Sequence, residues 1–197
     1  MKTLTLLCGA ALAASLSTTA AHAADFTGPR VELRGGWDRL DVKEPDFHLD
    51  RSDDGILYGV GVGYDVALSR SLIAGVEANF DLSNSEFEEV AGNTSVEAKA
   101  KRDIEVSARL GARLGERVLV YAKAGYTNAR IKGVITTGGT TGTTREEFAA
   151  NGDGLRLGAG AEFAITDKAY AKTEYRYSNY EGGVSRHQAV AALGFRF

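Results

Sequence analysis

Cysteine is nearly absent from this chain, with a single residue, Cys8, in 197. It lies in an N-terminal stretch, "MKTLTLLCGAALAASLSTTAAHA", where charged Lys2 precedes an apolar run from Leu4 to Ala14 and small residues flank His22 as Ala21-His22-Ala23. That layout reads as a secretory signal peptide over residues 1–23, with cleavage expected between Ala23 and Ala24. The run is too short for a helical anchor, which needs about 18 or more apolar residues. Leu7, rather than a small residue, precedes Cys8, which excludes a lipoprotein. Cleavage removes the only cysteine, so residues 24–197 are expected to hold no disulfide and to do no thiol chemistry.

Other features are missing too. No segment of residues 24–197 is apolar for long enough to cross a bilayer as a helix, and a period of 3.6 residues is never sustained. Loss of Lys2 takes the net charge from −3 to −4, which excludes the basic footprint of a nucleic-acid binder. Only His48 and His187 remain beyond residue 23. The glycine-containing stretches "GVGVGYD" and "LGAGAEF" lack the GxGxxG spacing and the following helix of a nucleotide loop.

What is present is alternation. Eight stretches, near residues 30–40, 55–67, 72–83, 102–114, 118–129, 154–165, 169–180 and 187–197, place apolar residues at every second position. Each has about the 9–11 residues with which a tilted strand crosses a hydrocarbon core. "SRS", "GER" and "TDK" are tight turns after the second, fourth and sixth stretches, whereas the segments at 41–54, 84–101, 130–153 and 181–186 are polar and mostly long. Short turns at one end and long loops at the other characterise a transmembrane barrel. "TTGGTTGTT" at 136–144 reads as a mobile external loop. Asp50, Asp53 and Asp54 in "DRSDDG" read as a solvated loop tip, since they lack the spacing of a calcium-binding EF-hand.

A soluble lipocalin-like barrel shows the same alternation with its apolar face inside. Glycine decides between the two. Gly36, Gly59, Gly61, Gly63, Gly75, Gly111, Gly125, Gly158, Gly160 and Gly194 share the polar parity. Facing solvent, each would weaken its strand by about 0.5–1 kcal/mol relative to alanine. Inside eight strands, where space barely suffices for side chains, they make room for long charged neighbours. The polar face therefore points inward, and it carries nine acids against eight bases. Its central members, Glu32, Arg34, Glu77, Glu105, Arg109, Lys123, Arg156, Glu162, Lys172, Glu174, Arg176 and Arg196, form the expected structural charge network, with Glu77 and Arg176 as a trial pair. Trp37, Tyr58, Phe80, Tyr126 and Tyr177 fall near the long-loop ends, and Tyr64, Phe163, Phe195 and Phe197 near the short-turn ends. These are two interfacial girdles.

On "GPRVELRGGWD", "LIAGVEANFDL", "VLVYAKAGYTNARI" and a last strand ending in Phe197, the chain resembles the eight-stranded outer-membrane β-barrel proteins of Gram-negative bacteria, of the porin-like, opacity and surface-antigen type, with OmpA-like barrels as relatives. The resemblance implies an all-β fold, a closed antiparallel eight-stranded transmembrane barrel over residues 24–197 in the outer membrane. It also implies that Phe195 and Phe197 resemble the signal read by the barrel-assembly machinery. The expected partners are that machinery and outer-membrane lipid; a monomer without cofactor, metal or nucleic acid is expected. The role is read as structural and surface-exposed, porin-like in architecture, with a charge-plugged lumen and no catalysis. The alternatives are a small pore, a lipid-modifying acyl hydrolase using His187 and Ser185, or the lipocalin-like binder.

Phe197 and Arg196 separate the two faces of the last strand. Deleting Phe197 should leave an exported chain that assembles poorly, while Arg196→Ala should spare assembly and perturb only the lumen. Surface labelling and unheated gel mobility read both; the reverse pattern would show that the faces are misassigned.

Overall fold

A computed structural model describes residues 26–44, 49–84, 86–91, 94–139, 142–180 and 184–197. Ala23 and Ala24, at the expected cleavage site, lie outside the described residues. The regular structure within them is entirely strand: β1 (Gly28–Glu44), β2 (Leu49–Ala67), β3 (Leu72–Ser83), β4 (Glu86–Ala91), β5 (Thr94–Leu114), β6 (Val118–Gly139), β7 (Gly142–Ala164), β8 (Ala169–Tyr180) and β9 (Val184–Arg196). All pairings are antiparallel. β1 pairs with both β2 and β9, and β3 pairs with β5, so eight strands close into a barrel. β4 pairs only with the outer part of β5, from Thr94 to Lys99, beyond the end of β3.

The three tight turns are built by local chemistry. Ser69 Oγ accepts hydrogen bonds from the backbone N–H groups of Ser71 (3.3 Å) and Leu72 (3.1 Å). Thr166 Oγ1 does the same for Lys168 (3.3 Å) and Ala169 (2.9 Å). Such hydroxyl turns reverse the chain in very few residues. Between β5 and β6 the reversal falls to Gly115, whose φ of 75° suits a residue without a β-carbon.

The opposite end differs from the sequence expectation. Segments 41–54, 84–101 and 130–153 were expected as loops, yet much of each is strand: β1 continues to Glu44, β2 starts at Leu49, β5 starts at Thr94, and β6 and β7 run to Gly139 and from Gly142. "TTGGTTGTT" is accordingly strand at 136–139 and 142–144, and Asp50, Asp53 and Asp54 lie on β2 rather than in a loop. The physical reason is that alternation reports lipid, not pairing. Where both faces of a hairpin meet water the apolar period vanishes, while the backbone ladder continues. β6 has 22 residues and β7 has 23, about twice the number that crosses a hydrocarbon core.

Within the membrane-spanning part the faces separate as the glycines imply. Leu33, Leu155 and Leu193 are 70%, 73% and 64% exposed, while Glu105, Glu162 and Arg176 are 0% exposed. Both aromatic girdles are on the exposed face, Trp37, Tyr58, Phe80, Tyr126 and Tyr177 at one end and Tyr64, Phe163, Phe195 and Phe197 at the other. At the short-turn end the lumen has an apolar floor: Phe26, just ahead of β1, is buried with Ile73, Leu119 and Ala164. Its ring also lies under the guanidinium carbons of Arg113 (5.2 Å) and Arg196 (5.5 Å), within cation–π range.

An arginine placed on the exposed face measures where lipid lies. Val106→Arg, in mid-strand, should lower the unfolding free energy in liposomes by about 2–4 kcal/mol. Asn84→Arg, beyond the end of β3, should change it by about 1 kcal/mol or less. Denaturant titration of both variants checks this, and equal losses would contradict it.

Candidate functional site: an ion-paired lumen

Every strand of the closed barrel delivers charge to the interior, because residues of one parity share one face. β1 contributes Arg30, Glu32, Arg34 and Asp38; β2, Asp65; β3, Glu77 and Asp81; β5, Asp103, Glu105 and Arg109. β6 adds Lys123; β7, Arg156 and Glu162; β8, Lys172, Glu174 and Arg176; β9, Arg186 and Arg196. All are buried, and among the described residues nine buried acids face nine buried bases.

Glycines set the clearance. A β-carbon at Gly63 would lie 2.7 Å from the Arg30 guanidinium carbon, and one at Gly160 would lie 2.6 Å from the Tyr121 hydroxyl. Neither side chain would fit otherwise. The Tyr121 hydroxyl donates to Glu174 (2.5 Å), and that of Tyr170, which crowds Gly194 in the same way, donates to Glu32 (2.9 Å).

The ion pairs form a continuous chain of alternating sign from the floor upward. Arg196 pairs with Glu162, Glu162 with Arg109 (3.1 Å), and Arg109 with Asp65 through Nε at 2.8 Å. Asp65 pairs with Arg30 (3.0 Å), Arg30 with Glu77 (2.6 Å), and Glu77 with Lys123 (2.6 Å). Above them Lys123 pairs with Glu105 (2.7 Å), Glu105 with Arg156 (2.9 Å), Arg156 with Asp103 (2.5 Å), Asp103 with Arg186 (2.8 Å), and Arg186 with Asp38 through Nε at 2.6 Å. Lys123 also meets Glu174 (2.7 Å), so one ammonium with three N–H donors serves three carboxylates. Lys172 holds Glu32 (2.5 Å), and Arg34 reaches Asp81 and Glu174, both at 3.4 Å. Burial of unpaired charges at this density would be prohibitive, so each charge needs its neighbours.

All twelve residues expected in the network are buried in the lumen. The trial pair is wrong: Arg176 pairs with Asp81 (3.0 Å) and Glu105 (3.1 Å), while Glu77 is held by Lys123 and Arg30. Glu77 and Arg176 share a face but sit on strands whose stagger in the closed barrel gives each a nearer partner. Two bases were missed. Arg30 lies near the start of β1, and Arg186 lay in a segment expected to be loop; the alternation of Arg186 with Gln188, Val190 and Ala192 was the available signal. Arg113, which shares the lumen-facing parity, is only half-buried, at the Phe26 end.

Ser185 and His187 do not form a nucleophile–base pair. His187 Nδ1 shares a hydrogen bond with the Tyr175 hydroxyl (2.5 Å), its Nε2 lies 3.6 Å from Asp41, and its ring packs at 4.9 Å from that of Tyr177. Ser185 stands opposite Asp41 on β1 and Asn179 on β8. Among the described residues no cluster of three or more histidine, cysteine or acidic side chains is arranged to hold a metal ion.

Known proteins share this architecture. The chain is 31% identical over 178 residues to the 31 kDa outer-membrane immunogenic proteins of Brucella melitensis and Brucella suis, covering 82% of this chain and 74% of theirs. In fold it is similar to the attachment invasion locus protein Ail of Yersinia pestis, with a TM-score of 0.53 at 19% identity, over 86% of this chain and 99% of that one. Neisserial surface protein A gives a TM-score of 0.52 at 15% identity, over 85% and 97%. Residues 8–197 match the family model described as the outer membrane protein beta-barrel domain. With its closed barrel, lipid-facing apolar surface and this match over nearly its whole length, the chain belongs to the outer membrane protein beta-barrel domain family and resides in the outer membrane.

Proposed function

We propose that this protein is a surface-exposed structural barrel whose lumen is closed to ions by its own side chains and which catalyses no reaction. The observation that carries the reading is the unbroken alternation of acid and base from Arg196 at the floor to Asp38 near the top. A conducting pore needs a wetted path along which charges are free to meet a permeating ion. Here each charge is already engaged by a partner of opposite sign, and eight strands enclose little more than their own side chains. Phe26 and its apolar neighbours add a second obstruction at the short-turn end.

The surface-exposed part of the reading draws on relatives. The Brucella proteins carry "immunogenic" in their names, as fits long hairpins presented outside the cell. Ail has been crystallised with a heparin analogue, sucrose octasulfate. That ligand class suits this chain poorly, because residues 86–91, 94–101, 130–139 and 142–153 of its projecting hairpins carry seven acids against five bases. An acyl-hydrolase role has little support, since His187 faces Tyr175 and Asp41 rather than Ser185.

Planar-bilayer recording of the purified protein should give no steady channel, and a stable ohmic pore would overturn the proposal. Lys123→Met removes the cation shared by Glu77, Glu105 and Glu174. It should lower stability by about 3–5 kcal/mol, the loss typical of a broken buried pair. If the barrel still forms, intermittent conductance is expected. Adding Glu77→Leu should recover part of the stability, as judged by unheated gel mobility and denaturant titration.

A further inference from the structure

Three polar atoms of the lumen wall are buried, make no hydrogen bond and meet at one place. They are Glu32 Oε2 and Arg34 Nη1 on β1 and Asn79 Oδ1 on β3. Their residues are 3%, 4% and 3% exposed. Between the two strands lies β2, where Gly61 stands opposite Glu32 on one side and Asn79 on the other. A β-carbon at Gly61 would lie 2.5 Å from Asn79 Oδ1 and 3.5 Å from both Arg34 Nη1 and Glu32 Oε2, and these are its three nearest neighbours. At Gly59, Gly63, Gly125, Gly160 and Gly194, by contrast, three heavy atoms crowd within 2.9 Å of the corresponding point. Those glycines yield their space to a neighbour, whereas at Gly61 only Asn79 comes so close.

Surrounding contacts aim the three atoms at this point. Asn79 donates its Nδ2 to Glu77 Oε1 (3.1 Å), which turns Oδ1 toward Gly61. Glu32 Oε2 meets Lys172 Nζ at 2.5 Å as an ion pair but accepts no hydrogen bond. Arg34 makes only long ion pairs, 3.4 Å to Asp81 and 3.4 Å to Glu174. Burying a donor or an acceptor without a partner is costly. What the three atoms share is a demand for one small ligand.

We propose that Glu32, Arg34 and Asn79 bind a single water molecule beside Gly61, as a permanent member of the lumen network. The ligand class follows from the charges around the site. Arg34 and Lys172 oppose a cation, while Glu32 and the Asn79 carbonyl oppose an anion. Water meets all three atoms, donating to Glu32 Oε2 and Asn79 Oδ1 and accepting from Arg34 Nη1. Buried waters typically make about three such bonds, to groups that the protein leaves unpaired. The water also gives Arg34 a short hydrogen bond, which neither Asp81 nor Glu174 supplies. This site and the closed-lumen reading fail separately, since conductance tests the reading and hydration at Gly61 is observed without an applied voltage.

The test uses the whole barrel, with water itself as the probe. A high-resolution crystal structure should show one density peak at hydrogen-bond distance, about 2.7–3.2 Å, from all three atoms. In nanodiscs, the Gly61 α-protons should give a nuclear Overhauser effect to the water resonance with the sign of a molecule that tumbles with the protein. The lack of a peak, or an effect with the sign of fast-exchanging water, would overturn the proposal. So would a direct hydrogen bond from Arg34 Nη1 to Asn79 Oδ1, which closes the site. Two substitutions read the same point independently. Gly61→Ala and Gly61→Ser crowd Asn79 equally, since each adds a β-carbon 2.5 Å from its Oδ1, but only serine brings a hydroxyl that donates and accepts as the water does. Gly61→Ser should therefore unfold at a urea concentration about 0.5 M higher than Gly61→Ala, and equal midpoints would refute the site. If neither variant folds, the two measurements on the unaltered protein decide.

Discussion

The structure depends on one constraint: the charges that fill a narrow barrel must all be paired, because they are buried away from solvent inside a wall whose outer face is lipid. A carboxylate or guanidinium removed from water loses several kcal/mol of solvation, and only close partners of opposite sign return it. The lumen answers with nine acids and nine bases among its described residues, linked so that most contact more than one partner. Lys123 illustrates the logic, since its three donors fall to Glu77, Glu105 and Glu174. The balance is collective. No single pair defines the interior, and each charge is held in place by the rest.

That constraint governs the small residues as well as the charged ones. Arg30 can lie across β2 because position 63 is glycine, and Tyr121 can reach Glu174 because position 160 is glycine. Hydrophobic residues, which usually form a core, are displaced to the outside, where lipid covers Leu33, Leu155 and Leu193. They return inside only where the ionic network ends, at the floor formed by Phe26, Ile73, Leu119 and Ala164. The same barrel wall then continues above the membrane without its lipid-facing pattern. There the strands are held by backbone pairing, and their unequal lengths leave edges of differing chemistry.

Much of this was legible in residue order. The strand faces, the tight turns at Ser69, Gly115 and Thr166, the two aromatic girdles and the twelve lumen charges follow from positions two residues apart, because each side chain reports the medium it meets. The upper halves of β5, β6 and β7 were not legible, since a strand with water on both faces carries no alternation to read. Arg186 was lost to the same cause, sitting in a segment too polar to register as strand.

The chain's sequence by itself therefore determined which residues face lipid and which face inward, because that choice is made locally, one residue at a time, by the solvent on each side of a strand. Only the tertiary structure decided who meets whom inside. Arg109 on β5 reaches Asp65 on β2 and Glu162 on β7, and Arg176 on β8 takes Asp81 on β3 in preference to Glu77. Those contacts cross a lumen whose stagger exists only after closure, when strands far apart in the chain are fixed at their relative heights by the complete ring of backbone pairing.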